Sequence, residues 1–199
     1  MKRIIITAVS LFLLVFLINL IGYHELPGKK MNDTLILTSN GFKNGGEIPQ
    51  KYSCDGQSIS PQLSWHTNNL YLTCGGYVLI VDDPDAQKVA GKTFVHWIVL
   101  LSAKTNELPE GISLSLDQDT YPHGLKNDLG TTSYRGPCPP ATSGEHTYRF
   151  TLFALKEDIK QAVESHLIPQ APFTAETFRK ALGTGIVAEA QLTGRYRRK

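Results

Sequence analysis

The sequence predicts a mainly β domain whose strands are buried on both sides, as in a sandwich, and three observations carry that reading. Short runs of β-branched and aromatic residues recur from residue 31 onward, separated by clusters of Gly, Pro, Asn and Asp. Several of these runs are almost continuously apolar, whereas a strand with one wet face would alternate. Helical patterns are confined to the region after residue 155.

In chain order the strand candidates are residues 34–38 (TLILT), 62–65, 76–81, 93–101 and 147–155. A helix is expected over 156–166, and a second over 175–182, opened by Thr174 as N-cap with Thr177 at the third helical position. The Gly-Thr-Gly run at 183–185 stops that helix, and 186–192 reads as a further strand. No internal repeat, low-complexity tract or linker divides 31–199, which is expected to be one domain.

Composition bounds the function classes. The chain has 199 residues, enough for a core that needs no staples, and its three cysteines are too few for a disulfide-dense miniprotein. The 17 Gly and 11 Pro are not enough to suggest disorder, and a net charge of +2 is too slight for a nucleic-acid binder. Lys2 and Arg3 precede an apolar run over 4–21, interrupted by Thr7, Ser10 and Asn19. That run exceeds a signal-peptide core of roughly 7–15 residues and sits at the short end for a spanning helix. Residues 1–30 are therefore expected to be a signal peptide or a membrane anchor, sending the domain out of the cytoplasm. No Cys lies near the run, which excludes a lipoprotein anchor; translation starting at Met31 would instead leave a cytosolic form. Without residues 1–30 the chain carries 16 basic and 17 acidic side chains, so any anionic ligand must be caught by a few local donors. The basic tail Arg195, Arg197, Arg198 and Lys199 reads as a solvated terminus.

Three segments concentrate the chemistry. Asp82, Asp83 and Asp85 put three carboxylates into four residues at a strand end, where Pro84 marks a turn. Their mutual repulsion means that at least one should accept backbone N–H groups or orient a histidine. His96 lies in the second segment, Phe94-Val95-His96-Trp97-Ile98; simple alternation puts it on one face with Phe94 and Ile98, opposite Val95, Trp97 and Val99. The third segment holds Asn127-Asp128, Tyr134-Arg135, then Gly136-Pro137-Cys138-Pro139-Pro140, then His146-Thr147-Tyr148. Three prolines within four residues make a stiff wall, and His146 and Tyr148, two apart, share a strand face beside it. The combination reads as a small pocket with polar groups at its mouth.

These residues resemble the phosphatidylethanolamine-binding protein family, and most nearly its bacterial and archaeal Raf-kinase-inhibitor-like branch. The resemblance rests on Asp83-Pro84-Asp85-Ala86, His96-Trp97, Gly136-Pro137-Cys138-Pro139-Pro140 and the Gly144-x-His146-x-Tyr148-x-Phe150 pattern. Tyr52-Ser53-Cys54-Asp55-Gly56, Ser60-Pro61-Gln62-Leu63-Ser64-Trp65 and Leu192-Thr193-Gly194-Arg195-Tyr196 extend it over about residues 34–197. Four positions depart from the pattern: Gln87 for a usual Pro, Leu129 for a Phe, Ser133 for a Gly, and Thr147 for an Arg between His and Tyr. The last removes a cation near the site. The resemblance implies a β-sandwich of two antiparallel sheets with peripheral and C-terminal helices and a small anion pocket. Asp83, Asp85, His96, His146 and Tyr148 would line it, with Gly136, Pro137, Cys138, Pro139 and Pro140 as its wall. A phosphate-bearing small molecule or phospholipid head group would bind there without a cofactor, and a kinase or protease could be a protein partner. Affinity for such an anion is expected to rise as pH falls through the histidine range.

Two enzyme readings stand as alternatives: a divalent metal held by His96, His146 and Asp83, or hydrolysis by the same cluster. Neither has a supporting motif, since H-x-H, H-E-x-x-H and G-x-S-x-G spacings are absent. In an oxidising compartment Cys54 and Cys138 are the candidate disulfide pair, with Cys74 left free; buried thiols are the alternative.

Overall fold

A computed structural model describes residues 35–67, 74–116 and 121–198, all within one unit spanning Asp33–Lys199. The apolar run at 4–21 lies outside the described residues, as do Thr34 and Lys199. Among the described residues no helix is long and apolar enough to cross a membrane.

Two sheets face each other. The smaller holds β1 (Leu35–Thr38), β3 (Leu63–Thr67) and β6 (Glu107–Leu108) in the order β1-β3-β6. The larger holds β2 (Gly46–Glu47), β4 (Gly76–Asp83), β5 (Phe94–Ser102), β7 (His123–Leu125), β8 (His146–Leu155) and β9 (Ile186–Tyr196), in the order β2-β9-β8-β4-β5-β7. Pairing is antiparallel except at one edge, where β2 runs parallel to β9 through Gly46↔Gly194 and Glu47↔Arg195. Among the described residues three short α-helices accompany the sheets: α1 (Gln87–Ala90), α2 (Ile159–Glu164) and α3 (Ala175–Leu182).

The near-continuous apolar strands follow from a large sheet covered on both faces. Leu79, Val81, Trp97, Val99, Phe150 and Leu152 face the small sheet and pack with Leu35, Leu37, Leu63 and Trp65. Val78, Ile80, Ile98, Leu100 and Phe153 point the other way, under Ile159 of α2 and Phe178 and Leu182 of α3. Helix α3 begins at a reciprocal capping box between Thr174 and Thr177, the pair that the sequence marks as its start. Helix α2 is shorter than expected over 156–166. Lys156 donates its N–H to the Gly185 carbonyl (2.9 Å), and Asp158 caps the helix by accepting from Lys160 and Gln161. The expected strand at 186–192 runs on to Tyr196, so the basic tail is not simply a solvated terminus. Arg195 pairs with Glu145 (3.2 Å) and Arg198 with Asp55 (2.9 Å).

Two cross-links tie the layers together. Asp82, fully buried, accepts from Arg149 Nε (2.8 Å) and Nη2 (3.0 Å) and from the Ala175 N–H at the start of α3 (3.0 Å). Cys54 and Cys138 are joined by a disulfide across a sequence separation of 84, and Cys74 is a free thiol.

Arg149→Met leaves the Asp82 carboxylate buried with one backbone partner and is expected to cost about 3 kcal/mol in urea unfolding. Cys54→Ala/Cys138→Ala opens the long loop and is expected to lower stability by about 3–5 kcal/mol. An unfolding midpoint unmoved by reductant in the parent protein would contradict the latter.

Candidate functional site

The site forms where β4 ends. The β4–β8 ladder stops at Asp82↔Arg149, so the first residues of β8 pair only with β9, through His146↔Tyr196 to Tyr148↔Gly194. The turn Pro84–Ala86 occupies the vacated edge, and Asp85 accepts the Thr147 N–H there at 2.9 Å. One residue earlier, Asp83 turns inward to the same face as His146 and Tyr148.

The three clustered carboxylates are thus kept apart by direction. Asp82 faces the helices and Arg149, while Asp85 is bound by Lys88 (2.9 Å) and Thr147; the Lys88 ammonium holds its carboxyl below the usual range. Asp83 accepts from Ala86 N–H at 3.1 Å and from His146 Nδ1 at 2.8 Å. It is both the cap of the turn and the orienter of a histidine.

His96 reaches the site through a β-bulge. Val81 pairs with Trp97 and Asp82 with Val95, so His96 is an extra residue on β5 with no partner on β4. This corrects the expectation from alternation: Trp97 and Val99 stay in the inter-sheet core, but Val95 moves to the helix-side core. His96 lies 5.2 Å from the Tyr148 ring, centroid to centroid. The segment after β7 satisfies the backbone that the bulge releases. Asp128 accepts the Val95 N–H (2.7 Å) and donates its own N–H to the Val95 carbonyl (3.1 Å). Arg135 N–H and Asn127 Nδ2 both donate to the His96 carbonyl. The return bond fixes the imidazole, since His96 Nδ1 sits 2.8 Å from the Arg135 carbonyl, which can only accept.

Both histidines therefore use Nδ1–H internally, which leaves Nε2, a lone pair on a neutral ring, for the cavity that both residues line. With Nδ1–H committed, each ring donates from Nε2 only when it is protonated there as well. Burial pushes the His96 pKa down, against smaller opposing effects from the Arg135 carbonyl and Asp83. The Tyr148 hydroxyl is the built-in donor: it is buried without a partner at hydrogen-bonding geometry, and burial keeps its phenol protonated.

These groups open into a cavity of about 330 Å³. Of the expected site residues, Asp83, His96, Cys138, Pro139, Pro140, His146 and Tyr148 line it. Asp85, Gly136 and Pro137 do not. Gly136 and Pro137 anchor the wall instead: Gly136 N–H donates to Ser58 Oγ (2.9 Å), and the Pro137 carbonyl accepts from Cys54 N–H (3.0 Å). A Cβ on Gly136 would meet the Tyr52 carbonyl oxygen at 2.2 Å, so only glycine fits. The reading from sequence missed the rest of the lining: Ala86, Val89, Ala90, Phe94, Leu129 and Arg135. Val89 and Leu129 are about half exposed, an apolar lip next to the polar floor.

The metal and hydrolytic readings find no support in this geometry. Both Asp83 oxygens are occupied, and among the described residues no group of three His, Cys, Asp or Glu is placed to hold a metal. The lining offers no serine or threonine hydroxyl, and the Cys138 sulfur is in the disulfide.

Comparison with known proteins places this arrangement. A family model described as phosphatidylethanolamine-binding protein matches residues 38–197. A UPF0098 protein of Aquifex aeolicus is 38% identical over 161 residues, which is 80% of this chain and 86% of that protein. The crystal structure of the phosphatidylethanolamine-binding protein homologue CT736 from Chlamydia trachomatis superposes with a TM-score of 0.63 at 32% identity, covering 84% of this chain and 99% of that one. Escherichia coli YbcL, described as a member of the mammalian family, gives a TM-score of 0.65 at 25% identity, covering 83% and 99%. With a family model matching residues 38–197 and a relative 38% identical over 80% of this sequence, the chain belongs to the phosphatidylethanolamine-binding protein family.

Proposed function

We propose that the protein is a binding module that takes a small phosphate-type anion in the cavity between Asp83, His96, His146 and Tyr148. The observation that carries this is the buried, unpartnered Tyr148 hydroxyl beside two imidazoles whose Nδ1 atoms are already committed. A buried donor without an acceptor costs free energy unless a ligand or water supplies one. An oxyanion does so, and a proton shared with either Nε2 adds a charge-assisted bond. The family's name, which refers to a phospholipid with a phosphate head group, supports the same ligand chemistry.

Anion binding is then coupled to proton uptake. In the free protein burial lowers the His96 pKa, so its ring is neutral near pH 7. A bound anion raises that pKa, and a group whose pKa rises on binding takes up a proton as the complex forms. Affinity must therefore increase as pH falls, and level off only below the pKa of the free protein. Sulfate, a dianion throughout the range, isolates the protein's contribution. Its affinity by calorimetry is expected to rise between pH 7.5 and 5.5, with heats that depend on buffer ionisation enthalpy. A flat profile would exclude the coupling.

Tyr148→Phe removes the hydroxyl and nothing that the fold uses. It is expected to weaken sulfate binding about tenfold, roughly 1.4 kcal/mol, with an unfolding midpoint no lower than the parent's. Undiminished affinity would remove the phenol from the site.

We also propose an extracytoplasmic location, supported by the apolar run at 4–21 and by a disulfide of the kind that persists in oxidising compartments.

A further inference from the structure

We propose that Arg135 sets the ligand class of the pocket: it takes the second negative charge of a phosphate monoester, so that the site selects monoesters over the diester phosphates of phospholipid head groups. The inference rests on the anion-binding reading above and sharpens it. The cations whose ion pairs bear on the cavity, and several farther off, are committed to carboxylates. Arg149, Arg179, Arg195 and Arg198 each hold a carboxylate, and so do Lys88 and Lys92, which flank the cavity. Arg135 lines the cavity and is partly buried, yet its guanidinium has no ion pair or side-chain hydrogen bond there. Its position is nevertheless tightly set. Its N–H and carbonyl both bond to His96, and the next residue is pinned to Ser58. The main-chain bonds fix where the side chain starts, and its unengaged guanidinium is a planar fork of N–H donors matched to two phosphate oxygens.

The charge count then discriminates between esters. A diester phosphate has one negative charge and two terminal oxygens, which Tyr148 and one protonated imidazole can satisfy. A monoester near neutral pH carries close to two charges on three terminal oxygens. The extra oxygen and charge need a second strong donor, and a guanidinium binds two such oxygens side by side. The zwitterionic ethanolamine diester fits less well, because its ammonium would approach Arg135. Val89, Phe94 and Leu129 supply an apolar surface at the mouth for the ester group, so the class indicated is a phosphate monoester with an apolar or aryl substituent. Among the residues that line the cavity, Arg135 is the one with a fixed positive charge.

Phenyl phosphate and methyl phenyl phosphate share an aryl group and differ in ester order, so calorimetry with both at pH 7.5 and low salt tests the assignment. The parent protein is expected to prefer phenyl phosphate by about tenfold or more. Arg135→Gln should abolish that preference by weakening phenyl phosphate alone. Arg135→Lys, which keeps the charge without the fork, should restore part of it. Equal affinities in the parent, or a preference that survives Arg135→Gln, overturns the role of Arg135; if both affinities still fall in Tyr148→Phe, the anion pocket itself stands. A protein that binds neither probe overturns both readings.

Discussion

A carboxylate taken out of water is costly unless its oxygens are filled, and Asp83 meets that requirement with His146 on one oxygen and the Ala86 N–H on the other. Much of the local architecture follows from this pair of bonds. The Ala86 bond closes the turn that ends β4, and the turn brings Asp85 to the free edge of β8, where it takes the Thr147 N–H that no strand claims. The His146 bond sets the tautomer and aims Nε2 away from the carboxylate. Asp83, at the last residue of the strand, can face the inter-sheet side only because Asp82 before it faces the helices and is neutralised by Arg149. Two adjacent acids on opposite faces of one strand are thus the hinge between a structural ion pair and a polar site.

The second requirement is an exit from the alternation of β5. A regular strand would place His96 under the helices among Ile98 and Leu100, where a neutral imidazole would lack partners. The bulge moves it to the other face, and the cost is that Val95 N–H, Val95 C=O and His96 C=O lose their partners in the ladder. Asn127, Asp128 and Arg135 take those groups up. The loop after β7 is therefore the other half of the bulge, which explains why polar residues inside it are buried: Asn127 is 2% exposed.

The long strands were legible because both faces of the large sheet are covered, so their apolar runs are unambiguous signals. Helix α3 was legible from its cap. The short strands β2, β6 and β7 were not, since two or three residues have no periodicity and exist only by pairing with a distant partner. The bulge escaped for the same reason: nothing in Phe94-Val95-His96-Trp97 says that β4 will skip a residue. Asp83, His146, Tyr148 and the proline wall were found by residue type and motif. The apolar lip was invisible, because Val89 and Leu129 look like ordinary surface residues until the turn and the loop bring them together.

Arg135 is the instructive miss. Its sequence context, between Tyr134 and Gly136, contains no acid and no repeat that would mark it. What distinguishes it is a property of the whole charge arrangement. A domain with near-zero net charge has no general field for an anion, so a ligand's charge must be met by a cation that folding has not already paired. Near the pocket, folding assigns Lys88 to Asp85, Lys92 to Asp128 and Arg149 to Asp82. Each pairing also fixes a piece of backbone: the turn, the bulge or the start of α3. Arg135 has main-chain bonds to His96 and no ion pair among the described residues, which leaves its side chain as an uncommitted charge in the cavity lining.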